Sequence, residues 1–156
     1  MEYNSFKKGN NLDDYFFSIE NRIKNNLEDL TLENFADLWN SEEALKKHIE
    51  KRIRKGHIKN AKDYLEKIKD TFLNPDEIYL KKFNDDFKRK NNRLDRIFYK
   101  KGKWWVDVFL EDGKIATAFK IEREWEEVLY KGDINTFEIY QIKRRGDGYE
   151  IKKNDR

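Results

Sequence analysis

A chain of 156 residues is the size of one ordinary domain, and its complete lack of cysteine removes disulfides, thiolate nucleophiles and cysteine-held zinc or iron–sulfur centres. Charged residues make up 42% and aromatics 15%, so the core must come largely from the four Trp, eight Tyr and eleven Phe, a content that excludes a disordered polyampholyte. The net charge of +3 is too small for a whole-molecule field to gather an anionic partner, so any such partner must be met by a local patch.

Residues 12–30 place Leu12, Phe16, Ile19, Ile23, Leu27 and Leu30 at helical spacing. The stretch "TLENFADLW" fits a short second helix with Thr31 as its N-cap. Ser41 predicts the cap of a third helix ending near Lys55, with Gly56 just past its end. Asn60 caps a fourth, whose stripe is Ala61, Tyr64, Leu65, Ile68 and Phe72, and Asn74-Pro75 stops it. Beyond Pro75, "RIFYK", "KWWVDVFL" and "GKIATAFKI" read as strands separated by "KGK" and "EDG" turns. The second alternates, with Trp105, Asp107 and Phe109 opposite Trp104, Val106, Val108 and Leu110. "EREWEEVLY" fits a short helix or an edge strand, and "TFEIYQIKRR" with "YEIKK" a hairpin joined at "GDG". Helices followed by an antiparallel sheet of four to five strands make an α+β domain.

Between residues 46 and 62 eight lysines and arginines face a single acid, Glu50, and both histidines of the chain, His48 and His57, fall in this block. Leu45, Ile49 and Ile53 form the expected buried edge of the third helix. His48 and Arg52, also i and i+4, run beside that edge, where a groove would meet them. Lys51 adds charge there, and His57 follows Gly56 at the entry to the next helix, where backbone N–H groups point outward. Thr117 interrupts a row expected to share one face, Ile115, Thr117, Phe119 and Ile121. Tyr99 and Trp104 flank the "KKGK" turn and are candidates to stack on a base. Each of these residues alone also fits an ordinary structural place; it is their combination that points to a phosphate.

No His-x-x-x-His pair or carboxylate cluster has metal-ligand spacing, and no phosphate-cradling glycine loop or nucleophile elbow is present. No metal and no cofactor is therefore expected. The chemistry left is acid–base work on a phosphodiester, and RNA suits it because its own 2′-OH can attack. No run reaches membrane-span length, and the N-terminal residues carry no apolar signal region, so the expected compartment is the cytosol.

"HIEKRIRKGHIKNAKDYLEKIKDTFLNPDEI", followed by "RIFYKKGKWWVDVFLEDGKIATAF", resembles the phage-associated branch of the barnase/EndoU/colicin/RelE-like ribonuclease superfamily. The ordered series of phrases covers residues 44–120, about half the chain. The resemblance implies a helical segment packed on a four-stranded antiparallel sheet, with metal-independent cleavage of RNA where they meet. The implied setting is a toxin with a cognate immunity or antitoxin partner, and tRNA is one candidate substrate beside other RNA. It divides the chain into a helical extension, residues 1–40, and a ribonuclease-like domain, residues 41–156. Carried over by position, His48, Arg52 and Thr117 match the superfamily's helix histidine, basic residue and strand threonine, and His57 a "GHI" of similar sequences. Some relatives follow the basic residue with histidine where this chain has Ile53, which leaves open which histidine is catalytic. Two other readings stand beside this one: an RNA-binding or phage-associated module of the same fold without chemistry, and an immunity-type interaction protein working through its acidic N-terminal helices.

Overall fold

The computed structural model describes residues 11–39, 41–91, 95–146 and 148–154. The first ten residues of the expected extension and Asp147 of the "GDG" turn lie outside them, as does the side chain of Leu12. The helices are α1 (Asn11–Glu28), α2 (Glu42–Arg54), α3 (Ala61–Leu73), α4 (Asp85–Asn91) and α5 (Trp125–Leu129). The strands are β1 (Glu77–Phe83), β2 (Arg96–Lys101), β3 (Trp104–Phe109), β4 (Ile115–Lys120), β5 (Phe137–Arg145) and β6 (Gly148–Lys153).

All six strands form one antiparallel sheet in the order β4-β3-β2-β1-β5-β6, so the α+β class is as expected and the sheet is larger by at least one strand. The unforeseen strand is β1, which lies near the centre, between β2 and β5. Ile78, Tyr79, Leu80 and Lys81 are buried in succession. A strand covered on both faces loses the period-two alternation by which strands are recognised, and Lys81-Lys82 made this one look like surface.

One face of the sheet carries the helical layer. Ile19 and Ile23 of α1 and Leu65 and Ile68 of α3 share a core with Ile97 and Val106 of the sheet. The segment read as an extension is thus, from Phe16 onward, part of the same core. Ser41 Oγ accepts the Ala44 N–H at 3.0 Å, and Asn60 Oδ1 the Asp63 N–H at 2.9 Å, so both expected caps are in place. The Thr31-capped helix is not. Asn34 Oδ1 instead accepts the Thr31 N–H at 2.7 Å, and only a 3-10 turn, Phe35–Leu38, follows. The other face holds a second core of Tyr79, Phe98, Trp105, Leu129 and Phe137, against which Phe87 of α4 and Trp125 of α5 pack.

β4 is an outer strand, and a bulge shapes it. Asp107 pairs with Thr117 but the next residue, Val108, pairs with Ile115, so Ala116 is the extra residue. The expected row is split: Ile115 joins the helix-side core, whereas Phe119 and Ile121 pack on the other side. Without that bulge Thr117 would share a face with Ile115.

Candidate functional site

On α2, Leu45 is buried and Ile49 partly so, but Ile53 is 43% exposed, and Arg52 takes the inward place with 6% exposure. The inward stripe therefore runs Leu45, His48, Ile49, Arg52, a helical i, i+3, i+4, i+7 pattern that contains both expected site residues. A buried guanidinium needs partners, and the sheet edge supplies them. Arg52 Nε donates to the Ala118 carbonyl at 3.1 Å, and its guanidinium carbon lies 5.6 Å from the Phe119 ring centre. The Tyr64 hydroxyl donates to the same carbonyl at 2.6 Å. Burial pushes that hydroxyl above its ordinary pKa, so it stays a donor. Two side chains thus cap the outer strand that a second chain could otherwise extend.

One turn before Arg52, His48 reaches the same edge. Its Nδ1 lies 3.5 Å from Thr117 Oγ1, a long contact, and its ring leans on Trp39 with centres 4.9 Å apart. Burial first, then the charges of Arg52 and Lys51, hold His48 below the ordinary 6.5. At neutral pH the imidazole is uncharged and able to accept a proton.

The end of α2 positions the second histidine. Gly56 has φ +77°, which lets the chain reverse at the helix end. The His57 N–H returns to Arg52 O and the Gly56 N–H to Ile53 O, both at 3.0 Å, the paired bonds of a Schellman closure. The reversal brings His57 Nε2 to 3.4 Å from Glu122 Oε2, while its Nδ1 is buried without a partner. Lys55 Nζ bonds Glu122 Oε1 at 2.8 Å and holds that carboxyl below its usual range.

His48, Lys51, Arg52, His57 and Thr117 line one cavity of about 400 Å³ at the seam of α2 and β4. Lys55, Lys120 and Arg123 line it too, and Glu122 is its one acid. Five cations against one carboxylate, beside a neutral imidazole and a hydroxyl, make a place for a phosphate next to a proton acceptor.

Two expected site residues lie elsewhere. Tyr99 is fully buried on the helix side of the sheet, where its hydroxyl donates to Glu20 Oε2 at 2.7 Å, so its ring has no open face for a base. Trp104 packs against the helix-side core with its ring centre 6.3 Å from that of Tyr64, and does not line the cleft. Sequence reading missed Glu122, which only the fold carries to His57, and Trp39, which backs His48. Neither has a local signal. Among the described residues, no three His, Asp or Glu side chains gather as metal ligands, and no helix is long and apolar enough to cross a membrane.

Residues 28–146, roughly three quarters of the chain, match the profile of the family described as "Uncharacterised protein aq_aa01", and the chain belongs to that family. The matched span contains every residue of the cleft. No match was found among curated proteins or among solved structures.

Proposed function

We propose that this member of the Uncharacterised protein aq_aa01 family is a metal-independent endoribonuclease of the toxin type, cutting RNA by attack of a 2′-OH on the adjacent phosphate. The observation that carries the reading is the meeting of His48, Arg52, His57 and Thr117, from a helix, a helix end and a strand, in one cationic cleft. In the step, the 2′-oxygen bonds to phosphorus as its proton passes to His48, and the bond from phosphorus to the 5′-oxygen breaks. The leaving 5′-oxygen takes up a proton, and a 2′,3′-cyclic phosphate remains. Lys51 and Arg52 face the charge that builds on the phosphoryl oxygens, and Thr117 Oγ1 is placed to donate to one of them. His57 is the second proton carrier by position. Its Nε2 faces Glu122 and its Nδ1 is enclosed, so it must leave Glu122 to reach a substrate.

That enclosure also favours a second reading, a module that binds RNA phosphates without cutting. Expression in a bacterial host separates the two. The ribonuclease reading expects growth arrest and RNA loss that a partner gene relieves and that His48→Ala abolishes. Harmless expression with intact RNA, together with RNA binding that weakens steeply with salt, would leave the binding module.

A further inference from the structure

On the sheet face away from α1 and α3 lies a second cavity, also of about 400 Å³. Four adjacent strands put polar groups where a core would be apolar: Lys81 from β1, Arg96 from β2, Asp107 from β3 and Thr117 from β4. Lys81 lies in register with Arg96, and Asp107 with Thr117. Arg96 Nη1 bonds Asp107 Oδ2 at 2.7 Å. The remaining atoms of this pair, Asp107 Oδ1 and Arg96 Nε, are both buried without a partner. Buried polar groups are nearly always satisfied, so an Asp–Arg pair that lines a cavity and leaves one acceptor and one donor without a protein partner marks a place for a bound group. A group that brings both a donor and an acceptor completes the pair.

The same cavity is lined by Phe87 and Phe119, whose rings are only partly buried. A planar ring whose edge sets an N–H next to a carbonyl or ring nitrogen satisfies both conditions, and the Watson–Crick edge of a nucleobase is such an edge. Thr117, Phe119, Arg123 and Val128 line this cavity and the histidine cleft alike. The two cavities therefore adjoin at β4.

We propose that the cavity bearing Asp107 and Arg96 holds an unpaired nucleobase of the RNA whose phosphate lies in the histidine cleft, an assignment that rests on the ribonuclease reading. Asp107 accepts from the base edge, and Phe119 covers its ring. Asp107 is here a binding residue, not a proton carrier.

The test is titration of the full chain with adenosine, guanosine, cytidine and uridine, followed by nuclear magnetic resonance of the β3 and β4 amides, with ribose 5-phosphate as the control. At least one nucleoside should shift these amides while ribose 5-phosphate does not, and a short single-stranded RNA should displace it. Asp107→Asn keeps an oxygen for Arg96 and turns the free acceptor into a donor, so it should weaken nucleoside binding at least about tenfold. Phe119→Ala, which leaves the Arg96–Asp107 pair intact, should weaken it as well if Asp107→Asn does not fold. Absence of binding by all four nucleosides, or binding that no RNA displaces, overturns the proposal. RNA cleavage without nucleoside binding or base preference removes this pocket alone. Displaceable nucleoside binding without cleavage supports the pocket and removes the ribonuclease reading.

Discussion

Two buried carboxylates, each paired with a half-buried arginine, lie on opposite faces of the sheet and are finished differently. On the helix side, Glu20 accepts from Tyr99 at 2.7 Å, Tyr149 at 2.9 Å and Arg144 Nη2 at 2.8 Å. Arg144 passes a further bond to the Phe72 carbonyl at 2.9 Å. This knot ties α1, β2, β5, β6 and the end of α3 together. On the other face, Asp107 has Arg96 and an orphaned oxygen. A fully satisfied buried network fixes a fold, whereas a half-satisfied one stores a cost that a bound group can relieve. The difference separates a pair that is satisfied within the fold from a pair that is not.

That contrast breaks if substitutions on the two sides have the same consequences. The largest effect is expected at the cleft: His48→Ala should lower the RNA-cleavage rate about 10²- to 10⁴-fold, with a urea midpoint close to that of the parent. Glu20→Ala should do the reverse, costing about 3–5 kcal/mol of stability in urea denaturation by leaving Arg144 without its counter-charge, while cleavage by the folded fraction is unchanged. Loss of activity in folded Glu20→Ala would erase the distinction.

Asp107 sharpens it through pH. Burial outweighs the neighbouring charge of Arg96 and raises its carboxyl from 3.8 to about 6. The folded protein therefore binds this proton more tightly than the unfolded chain. The stability that results is fully present below about pH 3.8 and is lost as pH rises through about 6. The shift corresponds to roughly 3 kcal/mol, which Asp107→Asn should remove from the pH dependence of unfolding. A smaller effect is expected at Gly56, where an alanine at φ +77° should cost about 1–2 kcal/mol in the same assay.

The sequence carried α1, α2 and α3 well because their signals were local, whereas the equally local Thr31 cap makes no helix and α4 was not foreseen. Ser41, Gly56 and Asn60 punctuate α2 and α3 through bonds that span a few residues, and the α1 and α3 stripes have the period of a surface helix. β1 was not legible, since a central strand with two lysines shows neither alternation nor an apolar run. The site was legible in its residue types and not in its geometry. His48 and Arg52 were found from spacing, yet Ile53 and Arg52 exchange the places expected of them, because the edge carbonyl of Ala118 makes burial of a guanidinium tolerable. Tyr99 looked like a turn aromatic and is a core residue, because its partner Glu20 lies 79 positions away. Asp107 did leave a trace, a carboxylate between valines in "WWVDVF", facing the same way as Trp105.

The measurement closest to the central claim is the chemistry of the ends made when purified protein meets single-stranded RNA in the presence of a chelator. Wild-type protein should leave 2′,3′-cyclic phosphates, and His48→Ala should leave the RNA whole. The acid limb of the rate should have its midpoint below the ordinary 6.5 of histidine, because His48 must be neutral to accept the proton. Intact RNA with the wild-type protein, or equal cutting by His48→Ala, would contradict the account.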